Sequence, residues 1–270
     1  MTRHVAALVL LLVGTAAHAE TLRVCADPNN LPFSNAQQQG FENKIVALFA
    51  ADLHATPQYF WWAQRRGFVR NTLKARKCDV WPGVATALTM LTTTIPYYRS
   101  TYVFLSRPDE HLDISSFDDP RLKKLIIGVQ MVGNNANNTP PAHALAARGI
   151  TANVHGFMLY GDYRLPSPPH AIVDAVARGQ IDIALVWGPV GGYFAAREAP
   201  PLSVTPVAAA RDGVWPMRFD ISMGVRKRNT ALRDRLDTII VHERAKIKTI
   251  LGAYHVPMVS SPAIPIPDQR

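Results

Sequence analysis

Leu22-Arg23-Val24-Cys25-Ala26-Asp27-Pro28-Asn29-Asn30-Leu31-Pro32-Phe33, then Gly40-Phe41-Glu42-Asn43-Lys44-Ile45, is the stretch that decides the fold. Residues 22–26 form a short apolar run of strand type, and the Asp27–Pro32 segment is dense in turn formers. Gly40 opens a segment in which Phe41, Ile45, Leu48, Phe49 and Leu53 recur at helical spacing, with Glu42, Asn43 and Lys44 between them. The pattern continues with a strand over 58–62, rich in aromatics, a helix over 68–74 and a third strand over 78–84. Strand–helix–strand–helix–strand predicts an α/β architecture with a mostly parallel sheet covered by helices.

Working outward, residues 100–106 are a strand of different character, and a second α/β series follows. It contains strands over 125–130 and 181–187 and helices over 140–148 and 171–178. Residues 114–122 read as polar and turn-like, and 160–169, with three prolines, as a long surface connection. A late strand over 219–226 leads into one long amphipathic helix through Leu232, Leu236, Ile239, Ile240 and Ile247; 263–270 is an extended tail. Two α/β halves joined by crossing strands predict a hinged, two-lobe protein. Lobe 1 is expected to hold 20–105 and 219–270, and lobe 2 to hold 108–216. Ligands of open α/β sheets sit beyond the carboxyl ends of the strands, so 27–32, 81–85, 130–138 and 187–193 should face the cleft.

The chain has 270 residues, 48% hydrophobic and 18% charged, with a formal net charge of +9. That length fits one large domain or two smaller ones, and the apolar fraction excludes an intrinsically disordered chain. Basic Met1–His4, the apolar run 5–13 and Ala17-His18-Ala19 read as a secretory leader cleaved after Ala19. The apolar run is too short to span a bilayer, and no Cys at the cleavage point supplies a lipid anchor. The expectation is an exported monomer that neither inserts into membrane nor binds nucleic acid, since the basic residues are scattered. Cys25 and Cys78 sit in a compartment that permits a disulfide. Adjacent parallel strands would put their sulfurs at opposite ends, so the pairing stays open.

The whole mature chain resembles the type II periplasmic solute-binding proteins of family 3. The resemblance rests on residues 22–27 with Pro32-Phe33, on Gly40-Phe41-Glu42 and on Cys78-Asp79-Val80. It continues in Pro96-Tyr97-Tyr98-Arg99-Ser100, Gly179-Gln180-Ile181-Asp182-Ile183-Ala184 and Gly224-Val225-Arg226-Lys227. Residues 24–34, 40–45, 65–73 and 92–100 are similar to one branch, the quinoprotein-dehydrogenase-associated proteins of XoxJ and MxaJ type. The resemblance implies a periplasmic partner, a PQQ-dependent methanol or alcohol dehydrogenase, whose maturation or activation the protein assists. The alternative is a receptor delivering a small apolar or aromatic solute to an ABC permease.

In amino-acid-binding members, the resemblance implies an Arg near Ala87 for the ligand carboxylate and an acid at Trp187 for its ammonium. Neither is present, and 84–96 holds no Arg or Lys. Losing two charge-assisted hydrogen bonds costs about 3–6 kcal/mol, or about 100- to 10,000-fold in affinity. The expected replacement is an aromatic cleft lined by Trp62, Phe68, Trp81, Tyr97, Trp187 and Tyr193. Trp81 and Trp187, at facing strand exits, are the pair best placed to grip a planar ligand or a partner's side chains. Asp27 and Phe33 belong to the first cleft-facing loop, Arg65 follows the aromatic strand towards the cleft mouth, and Asn134 precedes a Pro-started helix whose positive end suits an anion. No catalytic residue, cofactor or metal site is expected. Asp27 and Glu42 are too few for a hard cation, the nine His lack ligand spacing, and no acid is expected at the cleft strand exits.

Overall fold

The computed structural model describes residues 20–132, 138–160 and 162–260. The expected leader 1–19, Asn134 and the expected extended tail 263–270 lie outside the described residues. Strand β1 (Glu20–Ala26) runs parallel between β2 (Ala55–Trp61) and β3 (Val80–Ala85). Parallel neighbours need crossovers. These are supplied by α1 (Phe41–Asp52), between β1 and β2, and by the segment containing α2 (Phe68–Asn71), between β2 and β3. The pleat of β1 sorts its side chains: Leu22 and Val24 join Phe41, Ile45 and Phe49 in one core, while Cys25 packs with Phe68, Val69 and Leu73 on the other face.

The second series starts from β4 (Tyr98–Ser106), in which every residue but Arg99 is buried. It continues through β5 (Ile127–Met131), α3 (Pro140–Ala146), β6 (Val154–Met158), α4 (Ala171–Ala177), β7 (Ile183–Trp187), α5 (Gly188–Ala195) and β8 (Ser203–Pro206). The chain returns through β9 (Arg218–Val225) to α6 (Thr230–His242) and α7 (Arg244–Ala253). The hydrogen-bonded order is β2-β1-β3-β9-β4-β7-β5-β6, with β8 also pairing β4. Residues 98–101 of β4 pair β9, whereas 102–106 pair β7 on one side and 103–106 pair β8 on the other. One strand is therefore shared by both halves, and β9 is its antiparallel return. This is the α/β, two-lobe architecture that the alternation of elements predicts, but the sheet is mixed rather than mostly parallel, because β9 and β4 run antiparallel to their neighbours.

Several elements depart from the sequence reading. The long C-terminal helix is two helices, broken at Glu243, and Leu236, Ile239 and Ile240 of one share a core with Ile247 and Leu251 of the other. The apolar period runs across the break, which hides it. Strand β6 escapes notice because it pairs β5 at the sheet edge and buries little. Helix α5 opens Gly-Pro-Val-Gly-Gly, which reads as loop. Segment 114–122 is not merely polar: Ile114, Phe117 and Leu122 are buried. Cys25 and Cys78 are bridged, with Cα atoms 5.4 Å apart. The geometric objection fails because β3 is staggered. Its first residue, Val80, pairs Val24 near the exit of β1, so Cys78 approaches the sheet beside Cys25 rather than at the far end.

Candidate functional site

A cavity of about 680 Å³ lies between the lobes, beyond the carboxyl ends of β1, β2, β3, β5 and β7. Its first-lobe wall is built from the loop after β1 and the start of α1. Gly40 permits the joint: a Cβ there would stand 2.0 Å from the Phe33 carbonyl oxygen. That close approach lets two otherwise unpaired helix N–H groups find acceptors, Phe41 donating to Pro32 O at 2.8 Å and Glu42 to Phe33 O at 3.0 Å. Phe33 and Glu42 thereby face the same space.

Strand β3 supplies the next part. Val80, Pro82 and Val84 are buried, and Trp81 and Gly83 alternate with them on the cavity side. Pro82 lacks an N–H, and the β3–β9 register shifts opposite it, between Ser222 and Gly224. Glu42 fills the place that a Gly83 side chain would take, its Oε1 lying 1.9 Å from an ideal Cβ. Phe68, at a ring distance of 4.8 Å, steadies Trp81. From lobe 2 come Trp187, Gln130, Leu159, Tyr160 and Val190. Gln130, buried, accepts from the Trp187 N–H at 3.0 Å and fixes the mouth of β7. Trp187 rests edge-on against Tyr102 and Phe219.

Of the candidates named from sequence, Phe33, Arg65, Phe68, Trp81 and Trp187 line this cavity. Asp27 is buried just outside it. Trp62 is exposed and stacks on Phe60. Tyr97 turns back to donate its hydroxyl to Pro82 O at 2.9 Å. Tyr193 lies on α5, stacked on Tyr254 and beneath Arg197. Asn134 is outside the described residues. The expectation of no acid concerns the strand exits near Trp81 and Trp187; an acid reaches the cavity by another route, Glu42 of α1, which is 5% exposed. Burial, with Asp27 nearby, pushes its carboxyl up to about 8. The wall also carries exposed Arg65, Arg66 and Arg70, so the cleft is aromatic without being uncharged.

Asp27 organises a joint between the lobes. Its Oδ1 accepts from Asn29 N at 2.8 Å and its Oδ2 from Gln64 N at 2.6 Å and from the Tyr163 hydroxyl. Arg65 lies 4.3 Å over the Tyr163 ring. Asn29 donates to Leu165 O at 2.9 Å and accepts from Ser167 N at 3.1 Å. Residues 162–169, part of the stretch 160–169 expected to be a long surface connection, thus form a strap across the cleft. Tyr163→Phe should weaken this joint by about 1.5–3 kcal/mol, the worth of a charge-assisted hydrogen bond. The readout is faster amide exchange at Gln64 and Ser167; unchanged exchange at both would show that the hydroxyl contributes nothing to closure.

No family model matches the chain. The protein MoxJ of Methylorubrum extorquens AM1 is 34% identical over 254 residues, spanning 89% of this chain and 82% of that protein. The crystal structure of the periplasmic binding protein XoxJ from Methylobacterium extorquens AM1 shares 33% identity. It superposes with a TM-score of 0.74 over 89% of this chain and all of that one (100%). MxaJ from Methlophaga aminisulfidivorans MPT, also a crystal structure, is 25% identical with a TM-score of 0.74, covering 88% of this chain and 100% of its own.

Proposed function

The chain belongs to the MoxJ family, and from that premise we propose that it is a non-catalytic periplasmic accessory protein. It assists the maturation or activation of a PQQ-dependent methanol or alcohol dehydrogenase, engaging it through the cleft between lobes 20–105 with 219–270 and 108–216. The observation that carries this reading is the cavity wall: Trp81 from one lobe and Trp187 from the other face a single, mostly apolar space. Paired, partly exposed indoles are the side chains that most often dominate binding to another protein. Ala87 and Trp187 leave out the two ionic clamps that the amino-acid binders of this fold are expected to carry. The leader at 1–19 and the description of XoxJ as a periplasmic binding protein support the location. The non-catalytic reading rests on family, since the presence of Glu42 removes the argument from a missing acid.

Immobilised protein is expected to retain the purified apo-dehydrogenase, and a Trp81→Ala/Trp187→Ala variant to lose about 30-fold or more in affinity, as for two interface anchors. Failure to retain the dehydrogenase in any cofactor state would overturn the reading. The cavity's volume, about 680 Å³, favours one rival, a transport receptor for a small apolar or aromatic solute, because small-ligand pockets have this size. A rise of several degrees in the thermal midpoint with such a solute, and no affinity for the dehydrogenase, would establish the rival.

A further inference from the structure

The cleft holds a polar group that an apolar docking pocket does not require. Glu42 begins the buried stripe Glu42, Ile45, Val46, Phe49 of α1, so the helix carries its side chain inward rather than to solvent. The carboxyl lies over Gly83, on the side of β3 that Trp81 also occupies, and it contributes to the cavity surface. Among the described residues no donor reaches either of its oxygens. A carboxyl buried to this degree is costly unless something satisfies it. None of the described residues does, and its oxygens open only towards the cavity that Glu42 helps to line.

We propose that Glu42 is the floor of a binding site for an organic ammonium or guanidinium group carried on an apolar stem. The carboxylate meets the cation, and the rings of Trp81, Trp187 and Tyr98 flank the stem and add cation–π attraction. This deepens the reading of the cleft as a docking site, because a Lys or Arg side chain of the partner has this chemistry. A free amine has it too.

The surroundings of Glu42 shape the demand. Asp27 approaches from the loop after β1 and raises the cost of a second negative charge. Tyr59, Tyr97 and Tyr98 have hydroxyls pushed upward by burial and by Glu42 itself, so they stay neutral across the working range. Arg65, Arg66, Arg70 and Lys74 sit exposed at the rim. They repel a bare cation at the mouth, so the charge has to be delivered on a stem that reaches past them. At neutral pH the carboxyl holds its proton, and binding converts COOH to COO⁻ with release of one H⁺ while the ligand keeps its own charge. Affinity should therefore climb about tenfold per pH unit and level off near 8.

Titration calorimetry with benzylamine, benzyl alcohol and benzoate tests this. Benzylamine at pH 8 should bind at least about tenfold tighter than either other compound, as expected for one charge-assisted contact. At pH 6.5 its binding heats in two buffers of different ionisation enthalpy should report release of about one proton. Glu42→Gln should erase both the discrimination and the proton, while the proton count itself needs only the wild-type protein. Equal affinity for benzyl alcohol or benzoate, or a flat profile between pH 6 and 8, would overturn the inference. Capture of the apo-dehydrogenase by Glu42→Gln then identifies the source of the cation. Given the amine result, weakened capture assigns the cation to a partner side chain, and intact capture assigns it to a free amine. Amine binding that fails while capture persists removes the role of Glu42 and leaves the accessory function standing; the converse result removes the accessory function alone.

Discussion

Reduction of the Cys25–Cys78 bridge is expected to lower the thermal midpoint by about 8–16 °C. The two cysteines are 53 positions apart, and closing a loop of that size removes about 4 kcal/mol of unfolded-chain entropy. For a chain of this length each kcal/mol moves the midpoint by about 2–4 °C. The ring closed by the bridge contains α1, β2 and α2, hence Glu42, Arg65 and Phe68. It therefore binds together most of the first-lobe wall of the cavity. Both cysteines are fully buried, in a cluster with Phe68, Val69 and Leu73, so opening the bridge also leaves two thiols in a space packed for a disulfide. Scanning calorimetry with and without reductant, and on a Cys25→Ser/Cys78→Ser variant, measures the effect. A shift below about 2 °C would mean that the unfolded chain is already constrained, contrary to the loop-entropy account.

That bridge marks one boundary of what sequence reasoning reaches. The parallel β1–β3 pairing was legible from two apolar runs separated by helix patterns, and so was the direction of each strand. The stagger was not, because it depends on where β3 first meets β1, and one residue of register decides whether two thiols meet. The same limit governs the site. Trp187, Phe33 and Phe68 reach the cavity because strand exits and the loops they feed have a defined place in an open sheet, whereas Trp81, the second residue of β3, reaches it because that strand starts beside the exit of β1. Trp62 and Tyr193 have the same side-chain chemistry and miss it. Trp62 falls one residue past β2, on an edge strand, and Tyr193 belongs to a helix that its glycines disguised. Glu42 was visible as an acid in a helix's first turn, where the macrodipole gives it an ordinary reason to be. Its position on the stripe with Ile45, Val46 and Phe49 was the signal that it points inward. The strap over 162–169 carries no such signal: its contacts to Asp27 and Asn29 are long-range and polar, and periodicity is blind to them.

Replacing Glu42 by Gln is expected to stabilise the protein, and to do so more strongly as the pH rises. In the unfolded chain this carboxyl titrates near its ordinary 4.5, and in the fold near 8. Below 4.5 both states hold the proton and the group contributes no pH dependence. Between the two values the unfolded state has released a proton that the folded state keeps, so stability falls by about 1.4 kcal/mol for each unit of pH. Above 8 the loss is complete, with a ceiling of about 5 kcal/mol before relaxation and water entry reduce it. Gln has nearly the same shape over Gly83 and no proton to lose. Urea unfolding of the two chains should therefore differ by about 1 kcal/mol at pH 5, by about 3 at pH 7 and by more at pH 8.5. The two chains are otherwise identical, so the difference reports the carboxyl at position 42 together with its coupling to Asp27. Parallel stability curves would show that the carboxyl ionises as it does in water. Should the gap widen as expected, the wild-type chain gives up about 3 kcal/mol at neutral pH to keep a carboxyl with no protein donor facing the cleft. Destabilised groups of that kind persist where a ligand completes them, which ties the stability of this fold to the chemistry of what enters between its lobes.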